Sequence, residues 1–128
     1  MINKERESNI PEWYWKNGLH DAKIISVSEI IVPPDWKTIF SEEKYLDIRL
    51  DGRVAQYERD IKVITLYNYS IQTKDIELNE LNNAWWMSDA VESLNDGFYR
   101  MTIEYIPSEA DCSEQFVVEF SGVKINRD

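Results

Sequence analysis

The residues best suited to chemistry in this sequence are few and scattered. His20 and Asp21 are adjacent, and both residue types can ligate metal ions, but the chain holds only one histidine and one cysteine. Zinc sites need three or four such ligands, so this supply does not fill one. We expect His20 to be a capped or paired side chain at the start of a strand. The sequence predicts no metal site and no other cofactor.

Cys112 would be a nucleophile only if the fold brought it to a base such as His20. Its neighbours oppose that role, because Glu109, Asp111 and Glu114 place negative charge around it, which disfavours the reactive thiolate. The four glycines form no phosphate-cradling motif, and no pair of carboxylates stands out among the 24 acidic residues. We therefore predict no catalytic residues and a protein that is not an enzyme.

Tryptophan and tyrosine are concentrated in two short stretches, residues 13–15 and 85–86. Consecutive side chains of a strand point to opposite faces, so at least one ring of each set should be exposed or cover an edge. An exposed Trp or Tyr is a typical anchor for a protein partner, although the same rings could instead cover the open ends of a sheet. With the adjoining His-Asp pair, the candidate binding residues are Trp13, Tyr14, Trp15, His20, Asp21, Trp85 and Trp86.

The net charge of −10 is unevenly distributed along the chain. Residues 1–64 carry ten Lys and Arg against twelve Asp and Glu, whereas residues 65–128 carry four against twelve. Such acidity repels phosphate backbones and argues against nucleic-acid binding. It attracts basic proteins and speeds their association at low salt, although it also serves solubility. We expect a basic protein as partner.

The totals describe one soluble domain. A chain of 128 residues that is 43% hydrophobic can bury a core without disulfides. It has no apolar run long enough to span a membrane, and its first residues lack the apolar region of a signal peptide. We therefore expect a cytoplasmic location and no membrane partner. Residues 1–12 are expected to form a flexible polar leader, and residues 13–128 a single β-rich domain.

Alternating and β-branched runs predict a mainly β fold. The expected strands include residues 22–32, 45–50, 61–71 (as a central strand) and 98–106. In the first of these, Ile25, Val27 and Ile31 share one face, which Glu29 interrupts, and Ile24 and Ile30 lie on the other, so we expect a strand covered on both sides for part of its length. Residues 73–83 are polar and predict a loop with a short strand.

Two segments leave alternatives open. The spacing of apolar residues in 84–94 suits a helix, but the Asn95-Asp96-Gly97 sequence that follows is a typical hairpin turn and favours a strand. Residues 115–125 change parity at Gly122, where a β-bulge would restore the buried face. The expected fold is an antiparallel sheet or sandwich of about six or seven strands. The alternative is an α+β fold, in which the same sheet is joined by one short helix.

Several short motifs resemble a loose group of small bacterial proteins. These motifs are Trp13, the Leu19-His20-Asp21-Ala22-x-Ile24 strand start, Trp85-Trp86-Met87-Ser88-Asp89, and the final run 116–125. The group shares an N-terminal Trp and an LHDA or LHDS strand start, and some members are immunity proteins of polymorphic toxin systems. The resemblance implies a β-rich fold, with residues 85–94 as a strand, and offers no catalytic residues.

The functional expectation combines this resemblance with the charge and the aromatic residues. We expect a non-enzymatic protein-binding module, in the form of an immunity protein that occludes a basic toxin domain. The alternative is a β-barrel or sandwich that binds a small ligand between Tyr and Trp side chains.

Overall fold

The computed structural model describes residues 13–14, 19–35, 42–53, 55 and 60–127. They form one antiparallel sheet of eight strands: β1 Lys23–Val32, β2 Glu43–Asp51, β3 Ile61–Tyr67, β4 Ser70–Ile71, β5 Trp85–Ser93, β6 Tyr99–Ile106, β7 Glu114–Phe120 and β8 Gly122–Arg127. The described ranges contain no α-helix, only two 3-10 turns at Leu78–Leu81 and Asn95–Gly97. The mainly β class is confirmed, with more strands than the six or seven expected. The proposed leader, residues 1–12, lies outside the described residues.

The strands are ordered β4-β7-β6-β5-β1-β2-β3-β8 across the sheet. Strand β3 leads into β4 through two residues, and β7 leads into β8 through one. The two bent segments pair antiparallel in a single register, because Tyr67 is opposite Gly122 and Ile71 is opposite Val118. The two ends of the strand order are therefore joined by the chain itself, and the sheet curves around one core.

The bends account for the additional strands. Residues 61–71 were expected to form one central strand, but the chain turns at Asn68, whose φ of 52° lies in the left-handed region that Asn tolerates. Strand β3 also lies next to β8 near one end of the order, not at its centre. The parity change near Gly122 is real, but it marks the bend from β7 into β8. The expected bulge within a single strand is wrong, because the two halves pair with different strands over most of their length.

A bulge does occur in β1, where the sequence pattern did not indicate one. Ile24 is opposite Leu50 and Ser26 is opposite Arg49, so Ile25 is an inserted residue. The insertion reverses the parity of the strand, and Ile24 and Val27 are both buried while the side chain of Ile25 is 49% exposed. The expectation that Ile25 shares a face with Val27 is therefore wrong.

Other expectations are confirmed. Residues 85–93 are strand β5, not a helix, and the turn after it places Asp96 and Gly97 at φ values of 63° and 78°. The predicted strands 45–50 and 98–106 lie within β2 and β6, and alternation buries one face of each, with Leu46, Ile48, Leu50, Met101, Ile103 and Tyr105. In residues 73–83 the expected short strand is wrong, because this loop contains a 3-10 turn and no strand.

The core is built around large side chains from several strands. The bulkiest fully buried residues are Trp86, Tyr105, Phe116 and Phe120, and aliphatic residues of β1, β2 and β3 pack with them. The segment before β1 adds Leu19 and Ala22. Within the described residues, no helix is long and apolar enough to cross a membrane.

Candidate functional site

The first predicted aromatic group lies against the core. The ring of Trp13 is 5.6 Å from that of Tyr99 and 5.8 Å from that of Phe120, measured between centroids. The Tyr14 hydroxyl donates a hydrogen bond to the Asp89 carboxylate. Burial, with the hydrogen bond and charge of Asp89, raises the pKa of Tyr14 well above its usual value. Trp13 and Tyr14 are half-buried and cover the core. Trp15 lies outside the described residues.

The predicted His-Asp pair forms the turn that enters β1. His20 Nδ1 lies 2.6 Å from the carbonyl oxygen of Met87. A carbonyl oxygen only accepts hydrogen bonds, so Nδ1 carries a proton and is the donor. His20 Nε2 is 3.5 Å from a carboxylate oxygen of Asp21, and the Asp21 backbone N–H donates to the carbonyl of Trp86. Both residues therefore attach the start of β1 to β5. In the described ranges no group of three or more His, Cys, Asp and Glu is placed to hold a metal ion.

The second aromatic group divides between the two faces of β5. Trp86 is fully buried, and its Nε1–H donates to Asp89 Oδ2 at 2.8 Å. Trp85 is 39% exposed, with the Lys23 ammonium 5.4 Å from its ring centroid. One ring faces in and one faces out, as strand alternation requires. Of these two rings Trp85 has surface open to a partner, whereas Trp86 is fully buried in the core.

A different surface has the shape of a binding site. We call it the tyrosine groove, an open cavity of about 820 Å³ lined by Glu29, Glu42, Glu43, Lys44, Tyr45, Tyr67, Asn68, Tyr69, Ser70 and Ile71. It lies at the bend between β3 and β4, where residues 67–71 form part of its lining. Among the candidate residues that the structure describes, none lines it.

The groove exists because the pairing of β2 with β3 and the pairing of β1 with β2 end at different points along β2. Pairing of β2 with β3 stops at Tyr45 and Tyr67, where the chain turns, whereas pairing of β1 with β2 continues to Val32 and Glu43. The ends of β1 and β2 thus extend past the bend, and the groove lies between them and β4. Ile31 follows the buried Val27 on the same face but is 52% exposed for this reason.

Aromatic rings and carboxylates line the groove together. The Tyr45 and Tyr67 rings are neighbours across the β2–β3 ladder, with centroids 5.6 Å apart and planes inclined at 52°. Tyr69 is hydrogen-bonded to Glu29 from a distant strand; burial first, then this bond and the Glu29 charge, raise the pKa of Tyr69 to about 12. The hydroxyl therefore remains a donor at neutral pH and holds one oxygen of Glu29 in place.

Gly122 provides room for one of these rings. A Cβ on this glycine would lie 3.4 Å from Cβ and Cδ2 of Tyr67, so the Tyr67 side chain lies directly over the glycine backbone. Tyr67 is opposite Gly122 in the β3–β8 ladder. A Cβ at this distance would be in ordinary van der Waals contact with the Tyr67 side chain.

Part of this site could be found from the sequence. Tyr45 and Tyr67 each adjoin a buried residue, Leu46 or Leu66, so strand alternation places both rings on the opposite face. No local signal brings Glu29 to Tyr69, because that contact depends on the bend after β3. Comparison with protein-family models, with curated proteins and with solved structures gave no match to this chain.

Proposed function

We propose that this protein is a non-enzymatic, cytoplasmic binding protein whose partner is a basic protein, and that the tyrosine groove is the centre of the contact surface. The observation that carries the proposal is the combination of three tyrosines, of which Tyr67 is exposed and the other two are half-buried, with three glutamates against one lysine in a single open groove. Aromatic anchors supply binding energy, and a carboxylate-rich rim favours a basic partner.

The charge of the whole chain supports the same partner. The net charge is −10, and most of the excess lies in residues 65–128. A surface of one sign accelerates the encounter with a partner of the other sign, and salt weakens this effect. The groove would then provide the short-range contacts after a long-range attraction.

An immunity protein that occludes a basic toxin domain is the specific form of this function that we favour. The motif resemblance around Leu19–Ala22 and Trp85–Asp89 supports it. In such a role the protein needs no catalytic group of its own, since it acts by covering the surface of the toxin.

A small-molecule binder is the second candidate. The groove volume of about 820 Å³ is within the range of roughly 300–1,000 Å³ that is typical of ligand sites. Such sites are usually enclosed and mostly apolar, whereas this groove is open and rich in glutamate. A protein partner therefore fits the surface better.

The test is affinity capture with three tagged proteins from a lysate of the source cells: the wild type, a Tyr67→Ala/Glu43→Gln groove variant, and Glu109→Gln as a control. Glu109 is exposed and outside the groove, so its change removes one charge without altering the surface proposed to bind. We expect a basic protein that the wild type and the control retain, that moderate salt elutes, and that the groove variant does not retain.

Two results would contradict the proposal. Equal retention by the groove variant would place the contact elsewhere on the protein. Capture of nothing at low salt would favour the second candidate, which a rise in melting temperature with a small-molecule library would then support.

A further inference from the structure

One edge of strand β1 has no partner strand beyond its first residues. Its pairing with β5 is limited to Lys23 and Trp85, with two further backbone hydrogen bonds at Ile24. From Ser26 to Val32 only β2 pairs with β1, and in the part of the chain that the structure describes no backbone hydrogen bond reaches the other edge. An edge of this kind presents N–H and C=O groups that can pair with another chain.

The strand register shows which backbone groups face this edge. The Tyr67 carbonyl accepts a hydrogen bond from the residue between β7 and β8, so the backbone groups of Tyr67 point away from β2. Members of a pair that does not bond across its ladder both point outward, so Tyr45, which is opposite Tyr67, faces β1 and bonds to Ile30. Backbone direction alternates along a strand, and the N–H and C=O groups of Glu29 and Ile31 therefore point to the unpaired edge.

Glu29 and Ile31 are accessible from outside the protein. Glu29 is exposed and Ile31 is 52% exposed. Val27 has the same backbone direction but is buried, and the 3-10 turn Leu78–Leu81 contacts β1, so the accessible edge begins at Glu29. Glu29 also lines the tyrosine groove, which makes this edge one wall of the groove. Two donors and two acceptors are thus available to an added strand.

The charge of this edge favours a basic strand over a second copy of the chain. An antiparallel copy centred on Glu29 would place two Glu29 carboxylates directly opposite each other, and like charges in that position destabilise a pair. A copy centred on Ile30 would place Glu29 opposite Ile31 and leave the carboxylate without a cation. Two chains of net charge −10 also repel each other. A strand with Lys or Arg opposite Glu29 and an apolar residue opposite Ile31 makes a favourable pair at both positions.

From this edge we infer that the basic partner adds an extended segment to β1 as a further antiparallel strand, paired with Glu29 and Ile31, with a Lys or Arg side chain opposite Glu29. In this mode of recognition the backbone hydrogen bonds give affinity and the side chains give specificity. The inference rests on the proposed function, since it names the part of the partner that would bind.

Hydrogen exchange of the full chain, labelled with ¹⁵N and followed by NMR, tests the edge directly. In the free protein the amides of Glu29 and Ile31 should exchange rapidly, whereas those of Ser28 and Ile30, which face β2, are the protected references. The probe is the peptide acetyl-Thr-Val-Thr-Lys-Thr-amide, whose Val would be opposite Ile31 and whose Lys would be opposite Glu29. We expect it to slow the exchange of both edge amides about twofold when half of the protein is bound.

Modified peptides separate backbone pairing from side-chain contact. A methyl group on the Lys or Val nitrogen removes a donor that faces β1, so it should weaken binding roughly two- to tenfold. Methylation of the central Thr nitrogen, which points away from β1, is the matched control and should change the affinity by less than about twofold.

Charge reversal tests the residue opposite Glu29. A counterpart peptide with Glu in place of Lys should bind roughly two- to tenfold more weakly, because like charges would then be opposite each other. In the Glu29→Lys variant this preference should reverse. Glu109→Lys is the control, since Glu109 is exposed and outside the groove, and it should keep the preference of the wild type. A native-like spectrum of both variants excludes unfolding as the cause.

Three results would overturn the inference: slow exchange of Glu29 and Ile31 in the free protein, equal weakening by methylation of the central Thr, or equal binding of the Lys and Glu peptides. Slow exchange that disappears on dilution would identify a second copy as the occupant. The proposed function has its own outcome. Peptide binding at the edge without a basic partner in the capture experiment would contradict the function and keep the site. A captured basic partner that leaves both edge amides in rapid exchange would contradict the site and keep the function.

Discussion

Asp89 is the residue that ties the N-terminal aromatic group to the sheet. It accepts hydrogen bonds from the Trp86 indole N–H and from the Tyr14 hydroxyl, and these two donors are 72 positions apart in sequence. One carboxylate on the partly buried face of β5 thus serves two aromatic donors. A buried donor that loses its acceptor costs more free energy than the bond itself contributes.

Replacing Asp89 by alanine should therefore destabilise the protein. We expect Asp89→Ala to lower the free energy of unfolding by about 1–3 kcal/mol, because the buried indole N–H of Trp86 loses its acceptor. Asp89→Asn, which keeps one acceptor oxygen, should lose less. Urea denaturation followed by tryptophan fluorescence measures both.

Glu92→Ala is the control for this change. Glu92 lies on the same strand, but its carboxylate is exposed and pairs with Arg100 on the surface. Exposed ion pairs contribute about 0–1 kcal/mol. If Asp89→Ala and Glu92→Ala lowered stability equally, the shared acceptor would have no special role.

At the scale of the element, the bulge in β1 decides which isoleucine belongs to the core. Strict alternation from the buried Val27 would bury Ile25 and expose Ile24. Because Ile25 is the inserted residue, Ile24 is buried and Ile25 is half exposed. The free energy of unfolding can distinguish the two arrangements, since the two residues are adjacent and of the same type.

We expect Ile24→Ala to lower the free energy of unfolding by about 2–5 kcal/mol, the usual cost of truncating a buried isoleucine. Ile25→Ala should lower it by less than about 1 kcal/mol, because the side chain is half exposed. Chemical denaturation of the two variants under the same conditions gives the comparison. The reverse order of stability would mean that β1 has no bulge at this position.

Strands with one clean face could be predicted from the sequence, and those with a bend or a bulge could not. In β2 and β6 apolar and polar residues alternate, so the local sequence identifies both strands. The turn after β5 contains Asp96 and Gly97, residue types that tolerate positive φ, so it too can be recognised locally. A bulge and a bend both shift parity by one residue. Which of them occurs depends on the partner strand, and β7 and β8 have different partners.

The same limit applies to the candidate site. Alternation indicates that Trp85 and Trp86 face opposite sides, but it does not say which is buried. The tyrosine groove joins β1, β2 and the β3–β4 connection, so it is a product of the sheet as a whole. The sequence shows its tyrosines and glutamates, which are suited to binding, but only the fold brings them together.

For the whole molecule, Tyr69 and Tyr105, like Tyr14, link stability to alkaline pH. Burial, then the charge and hydrogen bond of Glu114, raises the pKa of Tyr105 to about 12, and the pKa of Tyr69 is also about 12. The ordinary value is 10.0, so the unfolded chain releases these protons first. Their contribution to stability is present in full below pH 10 and is lost as the pH rises from 10 to 12.

We expect the free energy of unfolding to fall across this window, and to fall less steeply in Tyr105→Phe, which has no proton to lose at that position. Urea denaturation at a series of pH values from 9 to 11 measures the two slopes. Identical slopes for the wild type and Tyr105→Phe would show that Tyr105 does not couple stability to pH.

The single register shared by the two bent segments also bears on how the chain folds. The hairpins β1–β2 and β5–β6 join strands that are neighbours in sequence, so forming them closes short loops. The pairings of β3 with β8 and of β4 with β7, which together we call the seam, join residues as distant as Ile61 and Arg127 and must close long loops. Non-local pairing of this kind slows folding to the range of milliseconds to seconds. We expect the seam to form last, so that substitutions in β8 accelerate unfolding in stopped-flow measurements while leaving the refolding rate nearly unchanged.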